Sequence, residues 1–160
     1  MSENEIRSVM VPLSGTHILI PNATVAEVVG YSDPEPVPGA PDWLLGTFLW
    51  RGWQVPLISY AALIEQREAE PVSGARLCIT KSMINNERMP YIAILAQGFP
   101  RLTTVTEDNL TEVPNDSKPI AVAGQVIVDS TEAIVPDLDR LGHLVAHAAF
   151  GALPLTGGSL

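Results

Sequence analysis

The sequence predicts an all-β fold of small packed barrels or a sandwich, closed by one α-helix near the C-terminus. Three observations predict it. Apolar residues come in short runs or in alternation, as at Val9, Val11 and Leu13, which is the two-residue period of a half-buried strand. Fourteen prolines and twelve glycines in 160 residues interrupt every longer apolar run and supply frequent turn signals. Only the segment after Asp137 keeps a helical period over several turns. Short, regularly spaced strands suit sheets that close on themselves and so lose their exposed edges. Two little barrels fit this length better than one large one.

The chain opens with a hairpin, strands over 8–13 and 17–20 flanking Ser14-Gly15-Thr16 as the turn. A third strand covers 26–30. Pro34, Pro36, Pro38 and Pro41, with Gly39 among them, cannot donate regularly to a ladder, so this stretch is expected to cross as an extended loop without pairing. Strands over 44–50 and 53–58 flank Arg51-Gly52, where Gly52 supplies the positive φ of a two-residue hairpin turn. A short amphipathic segment over 60–66 leads into a polar connector broken by Pro71 and Gly74. A subdomain junction is expected across 65–75, inside one domain spanning 1–160.

Strands over 76–80 and 91–96 are joined by a polar turn around Asn85 and Asn86, residue types that tolerate left-handed geometry. Further strands are predicted over 103–105, 120–122 and 125–128, with Ala123-Gly124 as a tight turn. In the helix, Leu138, Leu141, Leu144, Val145, Ala148 and Ala149 share one face. Asp137 is its predicted N-cap and Gly151 its stop. Pro154, Gly157 and Gly158 make 152–160 an expected flexible tail.

Composition narrows the function. Eighteen acidic against nine basic residues give a formal charge of −9, which disfavours nucleic acid and other polyanionic partners. Charged residues reach only 17% and hydrophobic ones 46%, enough to fill a core without a metal or disulfide staple. The single cysteine, Cys78, cannot form an internal disulfide, which fits a reducing compartment. The opening residues MSENEIRSVM do not read as a secretory signal. No window approaches the roughly 20 apolar residues of a membrane-spanning helix. A cytoplasmic protein without membrane insertion is expected.

Residue patterns for chemistry are sparse. His143 and His147 stand at i and i+4 on the predicted helix, a spacing that can place two imidazoles beside one metal. Leu144 occupies the position of a zinc-protease glutamate, and no third ligand accompanies the pair. Two surface-facing histidines are the simpler reading. Asp137-Leu138-Asp139 with Gly142 resembles the start of a calcium loop, but Leu141 fills a ligand position, and a capped helix start explains the pattern. There is no Gly-x-Ser-x-Gly elbow, and Cys78 lies in an apolar strand as an inert packing group. Phosphate-cradling glycine loops are absent from the sequence as well. No cofactor or metal is expected. Arg51, flanked by Trp50 and Trp53 at a hairpin tip, has the composition of an interaction hot spot. The alternative is that both tryptophans fill cores while Arg51 pairs with a nearby carboxylate.

From Ile18 to Ile64 an ordered series of features resembles the CheW-like family of chemotaxis coupling proteins. Ile20-Pro21 leads into Val25-Ala26-Glu27-Val28, similar to the family's valine-x-glutamate-valine strand. Val37-Pro38-Gly39-Ala40-Pro41 resembles its proline-rich loop, Gly46 and Leu49-Trp50-Arg51-Gly52 its glycine and arginine-glycine hairpin, and Val55-Pro56-Leu57-Ile58 closes the set. The second half is similar more loosely, through Tyr91 to Ala96, Glu112-Val113-Pro114 and Val122 to Val128. Agreement in order across so many features is what separates resemblance from chance.

The resemblance implies two packed five-stranded SH3-like barrels with the C-terminal helix. It implies a non-catalytic adaptor joining the cytoplasmic tip of chemoreceptors to the regulatory domain of a CheA-type histidine kinase, recruited to receptor arrays at the membrane. The receptor groove would be touched by Val25, Glu27, Gly46 and Arg51, with Gly52 and Pro56 structural in the hairpin. Arg51 either contacts the receptor or pairs with Glu27; the pair is slightly favoured. Ser59-Tyr60 replaces the aspartate usual after the hairpin, and Ala96-Gln97 replaces a valine-aspartate. These departures imply a divergent member, of the kind serving type IV pili and twitching motility. The competing class is a ligand-binding protein or metal-dependent enzyme using an apolar cleft between barrels and the histidine pair.

Overall fold

The computed structural model of the protein describes residues 5–65, 70–114 and 118–151. Alternating apolar positions become strands β1 (Ile6–Pro12), β2 (His17–Pro21), β3 (Val25–Gly30), β4 (Leu44–Trp50), β5 (Trp53–Ile58), β6 (Arg76–Lys81), β7 (Tyr91–Ala96), β8 (Arg101–Val105), β9 (Leu110–Val113), β10 (Val122–Val128) and β11 (Thr131–Pro136). Helix α1 (Tyr60–Glu65) follows β5, and α2 (Leu138–Phe150) follows β11. The strands form two sheets, β8-β1-β2-β11-β10-β9 and β3-β6-β7-β5-β4. The first has six strands where the resemblance implied five.

Each sheet is curled shut, and simple distances show it. Strands pack about 4.8 Å apart, so a flat five-stranded sheet would hold β3 and β4 about 19 Å from one another. The Trp50 indole of β4 instead donates to the Glu27 carboxylate of β3 at 2.9 Å. In the other sheet the outermost strands β8 and β9 are joined by the turn 106–109, where the Asn109 amide reaches back to the Thr104 carbonyl at 2.9 Å. Two small barrels result.

Three apolar clusters follow from the alternation. Met10, Leu19, Val105, Val126, Val128 and Ala133 fill the six-stranded barrel. Val55, Leu57, Leu77, Ile79, Ala93 and Leu95 fill the five-stranded one. A third, larger cluster takes the other faces of the same strands: Val9 and Val11 of β1, Ile18 and Ile20 of β2, Cys78 of β6, Ile92 and Ile94 of β7, with Tyr60 and Ile64 of α1 and Leu141 and Val145 of α2. Strands between the clusters are therefore buried on both sides, as in β7, where Ile92 through Ala96 are all buried.

The chain changes sheets at 21–25 and 97–101. The connector across 65–75, of which 66–69 lie outside the described residues, runs from α1 into β6 within the five-stranded unit. Pro71 and Gly74 thus mark a loop without marking a boundary between barrels. The expected tail at 152–160 also lies outside the described residues.

Other departures have local causes. Ala123-Gly124 is not a turn; β10 runs unbroken from Val122 to Val128, with Ala123 as the extra residue of a bulge and Gly124 opposite Val135. The turn falls at Asp129-Ser130, both with positive φ (49° and 71°), a primed hairpin made without glycine. Strands β9 and β11 went unpredicted beside it. Asn85 and Asn86 do not adopt left-handed backbone; Asn86 instead accepts from the Arg88 amide through its side chain at 2.9 Å. The proline-rich crossing does pair once, Glu35 exchanging two hydrogen bonds with Thr47 at 2.8 and 2.9 Å. The helix ends as predicted: Asp137 accepts from the Arg140 amide, and Gly151 (φ 79°) returns its N–H to His147.

Polar ties lock the barrels in register. The buried Tyr60 hydroxyl donates to the Ala121 carbonyl at 2.7 Å, and the Asp137 amide donates to the same oxygen at 2.9 Å. Ala121 takes φ 67° to present it. The buried Glu70 carboxylate accepts from the Ser14 amide in the first hairpin and from the Ser59 hydroxyl at the head of α1 at 2.6 and 2.8 Å. Ser59 stands at one of the divergent positions, and a carboxylate does meet it there, supplied from the connector.

Two substitutions test this frame by urea denaturation. Glu70→Ala removes the carboxylate that accepts from the buried Ser59 hydroxyl and the part-buried Ser14 amide and is expected to cost about 1–3 kcal/mol. At Gly46 (φ 148°) a Cβ would collide with the Glu35 carbonyl oxygen and Pro34 Cβ, so Gly46→Ala is expected to cost about 2–4 kcal/mol. Gly124→Ala, with open space around the new methyl, is the control and should stay within about 0.5 kcal/mol.

Candidate interaction site

The seam that closes the five-stranded barrel is also its most distinctive surface. A bulge in β3 aims Glu27 at it: Val25 opposes Thr80 while Glu27 opposes Ile79, leaving Ala26 as the extra residue. Without that insertion Glu27 would share Val25's face, because one residue of slip reverses every following side chain. Val25 and Val28 consequently pack on the shared apolar layer, whereas Ala26 and Val29 turn into the barrel. A matching bulge in β4, between Leu44 and Gly46, turns Phe48 and Trp50 into the same barrel.

At the rim, Glu27 Oε1 accepts from Trp50 Nε1 at 2.9 Å and from an Arg51 guanidinium nitrogen at 3.3 Å. The guanidinium carbon lies 4.6 Å from the Trp50 ring centre, within cation–π range. The indole also makes a T-shaped contact with the Tyr91 ring, centroids 4.8 Å apart and planes at 75°. The Arg51 side chain is 68% exposed and that of Glu27 39%. An ion pair this open contributes about 0–1 kcal/mol, so its use is geometric.

The expected site residues divide into two groups. Glu27 and Arg51 meet as the favoured reading had it. Gly52 takes its expected positive φ (84°), and Arg51 itself is left-handed at 50°, an unfavourable backbone for arginine that fixes where its side chain leaves the turn. Pro56 is buried opposite Thr47, whose own N–H and C=O point away to Glu35. A missing N–H is harmless there. Gly46 is buried, and the close approach it permits is that of the chain's own Pro34-Glu35 backbone. Val25 is half-buried against the shared layer.

The tryptophans split between the two alternatives: Trp50 packs on the barrel core, while Trp53 is 42% exposed. Sequence reasoning missed Tyr91 and the Trp50-to-Glu27 bond. The hairpin register pairs Trp50 with Trp53 and puts Trp50 on the Phe48 side; alternation from the turn carried that signal, but not the partner across the seam.

The other chemical possibilities find no support in the geometry. His143 and His147 are exposed, His143 lying 3.9 Å from Asp139 one turn away. Among the described residues no three His, Cys, Asp or Glu side chains come together as a metal cage. An open cleft of about 520 Å³ is lined by Glu112, Lys118, Gln125 and neighbours on β9 and β10, away from the histidines. No helix of the described residues is long and apolar enough to cross a membrane. Cys78 is fully buried and its thiol is pushed up to about 12 by loss of hydration.

That thiol gives a prediction. Between pH 9.0, its ordinary value, and about 12, the unfolded thiol ionises while the folded one keeps its proton. Stability present below pH 9.0 therefore falls as pH rises through this window. Native protein at pH 8 should resist alkylation by iodoacetamide, and the same reagent should label Cys78 quickly in urea; rapid native labelling would contradict the buried placement.

Comparison with known proteins agrees with this architecture. The model of the CheW-like domain matches residues 7–145. The crystal structure of the scaffolding protein TtCheW from Thermoanaerobacter tengcongensis superposes with a TM-score of 0.68 at 16% identity, covering 86% of each chain. No match to a curated protein was found. A family match across both barrels, with the same fold in a solved structure, places the chain in the CheW-like domain family.

Proposed function

We propose that the protein is a non-catalytic adaptor that couples chemoreceptors to a CheA-type histidine kinase. The observation that carries the reading is the family match over residues 7–145, which takes in both barrels. An adaptor needs two surfaces occupied together, because holding two partners converts their encounter into an intramolecular one. Two barrels offer such surfaces on one rigid body. The receptor's helical tip lies against the rim with Glu27, Trp50 and Arg51, Val25 and Gly46 shaping the backbone beneath, and the kinase's regulatory domain packs elsewhere.

The ligand-binding or metal-enzyme alternative needs an open space between the barrels. That space is filled by the largest apolar cluster in the molecule. The finer reading, an output through type IV pili, rests on the departures at Ser59-Tyr60 and Ala96-Gln97. A deletion strain that loses twitching and keeps swimming is its expected sign; the reverse phenotype assigns the protein to flagella.

Reconstitution tests the main reading. Purified protein mixed with a chemoreceptor cytoplasmic fragment and a CheA-type kinase from the same genome should yield a ternary complex on gel filtration and change kinase autophosphorylation. Arg51→Ala should shift stability by no more than about 1 kcal/mol while weakening receptor capture. Unaltered capture by that variant would remove Arg51 from the contact, and failure to bind either partner would defeat the adaptor reading.

A further inference from the structure

The geometry points to Trp50 as the positioning residue of the Arg51 site, and to a carboxylate on an apolar segment of the receptor as the group that Arg51 takes. The inference rests on the adaptor reading and names the chemistry of its receptor contact.

Glu27 Oε1 has two donors of unequal standing. The indole N–H is the closer, at 2.9 Å, and belongs to a ring packed on the barrel core and against Tyr91. The guanidinium is the farther, at 3.3 Å, on a side chain 68% exposed. If Arg51 swings away, Glu27 keeps its shorter hydrogen bond, so releasing the arginine leaves no carboxylate without a donor.

Trp50 also sets the direction of the guanidinium. With Arg51 over the indole at 4.6 Å, the covered face is apolar and the donor edge lies in the plane of the fork, only one nitrogen of which is bonded to Glu27. A planar donor edge of this kind matches a carboxylate. Exposed Trp53 is the cross-strand partner of Trp50 next to it in the hairpin, so the matching segment carries an acidic residue beside an apolar one. In a chain of net charge −9, an accessible cation also gives an acidic partner a local point of approach.

Two measurements decide the matter. The first needs no partner: solvent exchange of the Trp50 indole N–H by NMR in the intact protein. Glu27→Ala should speed exchange about tenfold or more, and Arg51→Ala less than about twofold, if the indole holds Glu27 independently. Equal acceleration by the two variants overturns the positioning role. The second is binding of the chemoreceptor cytoplasmic fragment. Trp50→Phe keeps the ring but not the donor; it should weaken binding about fivefold to tenfold in the native background and less than about twofold beside Arg51→Ala. Equal losses in both backgrounds mean that Trp50 acts through packing alone and overturn the role. Against a fragment whose tip acids are changed to amides, Arg51→Ala should cost no further affinity; an undiminished loss overturns the carboxylate assignment. A fragment that ignores the unaltered protein defeats the adaptor reading and the carboxylate together, while indole exchange still decides on Trp50.

Discussion

The layer of apolar side chains shared by the two barrels governs the rest of the molecule. A small barrel can be filled from inside by one face of its strands, leaving the other for water. Here β1, β2, β5, β6 and β7 are apolar on both faces over most of their length, so neither barrel can stand alone without exposing a continuous apolar sheet. Helices α1 and α2 complete the layer, and the carbonyl of Ala121 ties Tyr60 and Asp137 across it. Burial also holds the Tyr60 phenol above its ordinary pKa, as expected where the neutral form is the hydrogen-bond donor. The chain reinforces the joint by weaving, since the six-stranded barrel takes its strands from both ends of the sequence and the five-stranded one from the middle.

The same layer dictates where a surface site can be built. A strand that serves the layer at one end and a barrel rim at the other must change faces, and the period of two allows this only by an extra residue. Both edge strands of the five-stranded barrel do so, β3 at Val25–Glu27 and β4 at Leu44–Gly46. Each bulge delivers one half of the seam, Glu27 from one side and Trp50 with Arg51 from the other. Gly46 is the residue type that the second bulge requires, because the Pro34-Glu35 backbone occupies the space of a side chain. The arginine-glycine turn is then a rim feature whose orientation is fixed by two distant constraints on backbone geometry.

Sequence reasoning reached the elements whose signals are local. Strands β4, β5 and β7 and the helix caps follow from alternation, Arg51-Gly52, Asp137 and Gly151, each readable within a few residues. Features that depend on a partner far along the chain were lost. Ala123-Gly124 looks like a turn in isolation; only pairing with β11 makes it a bulge and shifts the turn to Asp129-Ser130. Pro71 and Gly74 mark a loop, but no local rule says whether a loop changes sheets. At the site, the ordered motifs brought Glu27 and Arg51 together, yet they also offered Gly46 as a surface for a partner, because a glycine required by close approach does not say whose backbone approaches.

Rigidity between the barrels has a consequence for coupling. Partners held by a flexible linker gain an effective concentration that falls as the linker lengthens, and neither orients the other. Partners seated on two barrels that share a buried layer are held at one distance and one angle, so a small displacement of one is delivered to the other without being lost in an intervening hinge. The exposed seam pair contributes little to folding and in the proposed adaptor is available for contact, whereas the buried ties at Tyr60 and Glu70 maintain the relative setting of the barrels. In the proposed adaptor, recognition and geometry thus fall to different residues, and a change at the rim would alter which partner binds without altering how the two barrels are held.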